Sequence, residues 1–99
     1  MEASLTHAEF NQNAMTKFRV PLDEGRVVEL ELVEVSELKL HPRQEEFSVE
    51  FRGPLDAFLG QGVRNFEHDA MGNFELFIVP VEQDAEGFYY EAVFNRLRD

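Results

Sequence analysis

This sequence predicts an all-β fold: an antiparallel barrel or sandwich of about six strands, with one short N-terminal helix. Three observations carry the expectation. Apolar residues recur at every second position along most of the chain, the period of a strand with one side in the core and one in water. Turn-forming residues interrupt these runs roughly every 10–15 residues, a spacing that suits short neighbouring strands. Ten of the 99 residues are Phe and none is Trp, so most of the large side chains to be buried have no polar handle.

Residues 4–14 read as the helix. Thr6 is placed to cap it, Glu9 completes a capping box three residues on, and Leu5 and Phe10 stand where a hydrophobic staple closes. Asn11, Gln12 and Asn13 continue a helix poorly, so it should stop near Ala14. A helix this short is unstable alone and must dock on the β domain of residues 16–96. The first strand is 16–22, where Phe18, Val20 and Leu22 alternate with Lys17, Arg19 and Pro21. A turn through Asp23, Glu24 and Gly25 leads to the longest strand, 27–38. There Val28, Leu30 and Leu32 share a face, and the phase slips by one at Val33. A bulge near Leu32 and Val33 would keep the apolar set inward and bend the strand.

Residues 39–45 read as a polar loop. Residues 46–52 form the third strand, with Phe47, Val49 and Phe51 inward, and Gly53-Pro54 stops it. Leu55, Phe58 and Leu59 then offer a plug for one end of the core. Residues 63–68 form the fourth strand, and 69–72 a turn. Residues 72–81 are the most apolar run: Phe74, Leu76 and Ile78 face one way, Phe77, Val79 and Val81 the other. Such a strand wants cover on both faces. Residues 82–87 read as a hairpin loop. In the last strand, 88–96, Phe88, Tyr90, Ala92 and Phe94 oppose Tyr89, Glu91, Val93 and Asn95, before a frayed tail at 96–99. Short connections favour strands pairing in order, as a meander.

Composition bounds the function. The length suits a single domain, 1–99. Twenty acidic residues against nine basic give a formal net charge of −11, which argues against nucleic acid and anionic membranes as partners. The acidity has two readings, solubility and a basic partner. There is no Cys, so disulfides, thiolate nucleophiles and thiolate metal sites are excluded. No stretch approaches the ~18 apolar residues of a membrane-spanning helix. Residues 1–5 carry no secretory pattern, and the expected location is cytoplasmic.

No motif names a catalytic activity, and no cofactor is expected. Ser4, Ser36 and Ser48 lack a nucleophile elbow, and Gly60-Gln61-Gly62 does not open a phosphate loop. Glu82, Asp84 and Glu86, followed by Gly87, resemble the opening half of a calcium loop, but its closing position is Val93. They are weak metal candidates beside the plainer reading of an acidic turn. Glu67-His68-Asp69 reads as a surface histidine flanking a turn, with its pKa modestly raised by two carboxylates. The clearest candidate is a contact surface: Phe77, Val79, Val81, Tyr89 and Val93 share the face opposite the main core. Either the N-terminal helix covers them, or they meet a partner or a second copy.

Four segments together resemble a family of small bacterial proteins of unknown function, DUF6916: residues 28–35, 47–54, 74–81 and 90–95. Phe51-Arg52-Gly53-Pro54 and Tyr90-Glu91-Ala92-Val93-Phe94-Asn95 are the most specific pieces. The resemblance spans residues 5–96 and implies an accessory or assembly role near phage-tail-like collar or fibre proteins. It brings no active residues. The expected function is therefore a non-enzymatic interaction or assembly protein. The alternative is a small-ligand-binding β-barrel, suggested by the Phe-rich interior.

Overall fold

The computed structural model describes residues 5–97. Residue 4 of the expected helix and residues 98–99 of the expected frayed tail lie outside them, while residues 96–97 of that tail do not fray but pair with Glu45 and Gln44. The chain forms α1 (His7–Gln12), β1 (Lys17–Pro21), β2 (Val27–Val35), β3 (Lys39–His41), β4 (Gln44–Gly53), β5 (Gly62–His68), β6 (Gly72–Asp84) and β7 (Gly87–Leu97). The strands run β2-β1-β5-β6-β7-β4 and β4 pairs back to β2, so six antiparallel strands close into a barrel. The short β3 adds to the side of β4. In-order pairing holds within two runs, β1-β2-β4 and β5-β6-β7. Residues 54–61 join the runs across one end of the barrel. No helix among the described residues is long and apolar enough to cross a membrane.

Period-two spacing does the sorting. Phe18, Val20, Val28, Leu30, Leu32, Phe47, Val49, Phe51, Phe66, Leu76, Ile78, Tyr90 and Ala92 are all buried. The slip in β2 is real: its register against β4 shifts between Leu32 and Glu34. That irregularity lets β2 pair first with β1 and then with β4, which bends the sheet toward closure. The turn after β1 is a single 3-10 turn, Asp23–Gly25, with φ of 64° at Glu24 and 76° at Gly25. Only the second of these has the glycine that left-handed backbone favours.

Two expected loops are strands instead. Residues 39–45 contain β3, which turns through Pro42 and Arg43 and pairs with the start of β4. At residues 82–87, β6 runs on to Asp84 and only Ala85 and Glu86 turn before β7 begins. Both stretches are ribbons that project beyond the barrel. Their side chains face water on both sides, so their composition is that of a loop while the backbone ladder persists.

The helix corrects a further expectation. Thr6 caps α1 as its spacing implies, its hydroxyl accepting the Glu9 N–H at 3.1 Å. The helix does not cover the second face of residues 74–81. Fully buried Phe10 enters the end of the barrel, with its ring 5.4 Å from Phe94, 6.2 Å from Phe47 and 6.3 Å from Phe74. The space exists because β6 and β7 diverge. β6 pairs with β5 through Gly72–Ile78 and with β7 only from Val79 onward, while Ala92–Leu97 of β7 pair with β4 alone. Phe10 fills the gap.

At the other end, Leu59 alone of the expected plug is buried; Leu55 and Phe58 stay largely exposed. The Leu59 N–H donates to the buried Tyr90 hydroxyl at 2.9 Å, and the Phe58 ring leans on Phe88 at 5.0 Å. Truncating the helix anchor, Phe10→Ala, should remove about 3–5 kcal/mol of stability. Urea unfolding followed by far-ultraviolet circular dichroism measures this loss.

Candidate interaction surface

On the outer wall of the barrel, side chains fall in rows that cross the strands. One row is apolar. Val63 of β5 lies directly opposite Phe77 of β6, and Val93 stands on β7 across the gap where β6 and β7 part. Val63, Phe77 and Val93 are 62%, 52% and 65% exposed. The next row, two residues along each strand, starts at Val79 and continues with Glu91, Glu50 and Glu34, each opposite the next. Two residues of extended chain span about 6.8 Å, so the rows are adjacent. Of the ten Phe, Phe77 alone has no ring contact with another aromatic side chain, while the other nine meet one another or Tyr90.

The structure brings four of the five expected surface residues onto this wall in sequence with the rows. Val81 is the exception in geometry. The β6–β7 register shifts between Pro80 and Glu82, so Val81 is an extra residue and Glu82 takes the position beside Tyr89. Val81 is still exposed. Tyr89 is half-buried, and its hydroxyl donates to Asp84 at 2.9 Å. Sequence reasoning did not place Val63 on this wall. The acids of the second and third expected strands, Glu34 and Glu50 among them, already read as like charges that meet if those strands pair, or as a face for a basic partner; their alignment with Glu91 depends on register between strands distant in sequence.

Three like charges in a row carry a cost. Burial pushes the Glu50 carboxyl above its ordinary range, and Glu34, Glu82 and Glu91 push it further. Arg52, the next outward residue on β4, is engaged elsewhere: it pairs with Glu31 at 2.6 Å and with Glu86 at 3.5 Å. Beside the row lies a groove of about 190 Å³ with Glu37, Glu46, Glu91 and Val93 in its wall, together with Lys39.

The weak metal candidates do not converge. Asp84 serves the turn: it accepts the N–H of Glu86 at 2.8 Å and of Gly87 at 3.2 Å as well as the Tyr89 hydroxyl. Those bonds hold its carboxyl below the ordinary range, the Glu86 N–H most of all. Glu86 points to Arg52. No group of three or more carboxylates and imidazoles that could hold a metal occurs among the described residues.

His68 is not the surface residue expected. It is buried, its ring lies 4.1 Å from Phe18, and it ties three segments together. Nδ1 accepts the N–H of Ala70 and of Met71, both at 3.1 Å, so the proton sits on Nε2 and is donated to Thr16 Oγ1 at 2.8 Å. Thr16 passes its own proton to the Asn13 carbonyl at 2.6 Å. Its pKa is lowered rather than raised: burial is the largest cause, Arg19 adds to it, and Asp69 opposes it. On the outside of the same seam Arg19 binds Asp69 at 3.0 Å and approaches Glu67 at 3.8 Å. These contacts support the narrow β1–β5 closure, where Arg19↔Glu67 is the paired position.

The family model described as domain of unknown function DUF6916 matches residues 5–94. The chain belongs to this family. No curated protein and no solved structure matches it. The DUF6916 match covers every strand described above except the last three residues of β7. It includes both rows of the outer wall.

Two outcomes follow from the ionisable groups. Below about pH 6.5 the unfolded chain takes up a proton at His68 that the folded chain resists. Stability should therefore fall as pH drops from 7 toward 5, and His68→Gln should flatten that slope in urea titrations. Glu50 works in the opposite sense. Its raised pKa means that ionisation weakens the fold, so the cost is present at neutral pH and disappears once the carboxyl is protonated in both states. Glu50→Gln should add roughly 0.2–1 kcal/mol at pH 7 and nothing at pH 3.5, measured by thermal melts.

Proposed function

We propose that this DUF6916 domain is a non-enzymatic interaction or assembly protein that binds a protein partner, or itself, through the outer wall around Phe77. One observation carries the reading. Nine phenylalanines are spent on ring contacts inside and at the ends of the barrel, and the tenth stands outward opposite exposed Val63. A clustered apolar row on a small acidic domain is a contact surface before it is anything else. An accessory place in a phage-tail-like particle is the form of assembly that the family resemblance suggests. A cysteine-free chain suits the reducing cytoplasm, and a net charge of −11 weighs against nucleic acid and anionic lipid. The ligand-binding alternative has less support, since rings such as Phe18, Phe51 and Phe66 meet one another at 5.1–6.4 Å in the interior.

Phe77→Ser should leave the circular dichroism spectrum unchanged and the stability within about 0.5 kcal/mol. The same change should abolish association seen by light scattering or by pull-down from the native host. A wild-type chain that stays monomeric at millimolar concentration and captures nothing from that host would overturn the proposal.

A further inference from the structure

The partner's chemistry can be read from what lies beside the apolar row. We infer that the outer wall docks an extended segment of another protein whose wall-facing side chains, two residues apart, are a lysine or arginine and an aliphatic or aromatic residue; this rests on the contact role proposed above. The argument is charge complementarity on a fixed lattice. Val63 and Phe77 give an apolar pair, with exposed Val93 across the gap on β7, and Glu91, Glu50 and Glu34 give a line of one sign beside them. The neighbouring row on the other side is already balanced, with Arg52 bound to Glu31 and Glu86. The carboxylate row is flanked by more acid: Glu82 acts on Glu50 across the wall, and Glu37 and Glu46 line the groove beside Glu91, where Lys39 is the single basic wall residue. A ligand that brings cations there removes repulsion as well as adding attraction.

A second copy of this chain is a poor source of those cations. It has nine Lys and Arg against twenty acids, and Arg19, Arg52 and Arg96 are each paired with a carboxylate of their own chain. The occupant is therefore a different, basic protein. An extended segment fits the spacing, since its alternate side chains repeat at about 6.8 Å, as the two rows do.

The test uses the whole chain and three capped peptides: Lys-Ser-Phe-Ser-Lys-Ser-Val, whose Lys, Phe and Val share one face when extended, and versions with every Lys replaced by Ser or by Glu. Binding is followed by nuclear magnetic resonance titration of the protein at low and at high salt. The Lys peptide should perturb Phe77, Val93, Glu91 and Glu50, and should bind at least about fivefold more tightly than the Ser peptide. The double variant Glu50→Gln with Glu91→Gln should lose at least about fivefold for the Lys peptide and nothing for the Ser peptide. That variant relieves repulsion, so it remains folded. Equal binding of Lys and Ser peptides, both lost on Phe77→Ser, would overturn the basic-partner inference and leave the contact face standing. Perturbations that map away from this wall, or no binding by any of the three, would overturn both.

Discussion

Strands as short as these close into a barrel only around a filled centre, and stacked phenylalanine is what fills it. The rings form a connected series: Phe47 on Phe94 at 4.7 Å, Phe94 on Phe10, Phe10 on Phe74, Phe74 on Phe66 at 5.7 Å, Phe66 on Phe51 at 5.1 Å and Phe51 on Phe18 at 5.3 Å. The series starts at the helix end of the barrel and runs down its axis. Each ring comes from a different strand or from the helix, apart from Phe47 and Phe51 on β4, so the contacts bind every part of the wall except β2. β2 contributes aliphatic Val28, Leu30 and Leu32 to the same interior. Arg96 closes the helix end from outside, its guanidinium 5.4 Å from both Phe47 and Phe94 while it binds Glu45.

This use of aromatic residues gives the outer wall its meaning. Where the interior needs an apolar side chain at one position, alternation releases the next to water, and water prefers it polar. Most of the wall obeys: Arg19, Glu29, Glu31, Ser48, Glu50, Arg52 and Glu67 all stand between buried neighbours. Val63 and Phe77 break the rule together and in register, and Val93 breaks it on the far side of the gap between β6 and β7. Scattered exceptions would be ordinary, but exposed apolar residues grouped on one stretch of wall form a surface.

Much of this was legible in the sequence. Strict alternation placed the strand cores of β1, β4 and β6, and the phase slip at Val33 located the bulge of β2, because a one-residue shift flips every later side chain. The N-cap at Thr6 was readable from Thr6 and Glu9 alone, being a contact over three residues. Three things were hidden, and each depends on contacts distant in sequence. β3 and the extension of β6 are ladders with no buried face, so hydropathy does not mark them. The burial of His68 depends on Thr16, 52 residues away. The docking of α1 depends on the separation of β6 from β7, which no local pattern encodes. The candidate surface was half visible: the face of Phe77 showed in the alternation, whereas the place of Val63 and the alignment of the carboxylate row needed the register of β5 on β6 and of β4 on β7 and β2.

The pairing of β4 with β7 is the longest ladder in the molecule, ten residue pairs from Gln44↔Leu97 to Gly53↔Phe88. Its partners lie far apart along the chain, and β7, which completes it, is synthesised after the other six strands. Until then β4 has one bare flank, Phe47 and Phe51 lack the wall that encloses them, and the earlier β1-β2-β4 run is an open sheet. Productive collapse therefore waits on a large loop closure, which places this barrel with slow, late-committing folders.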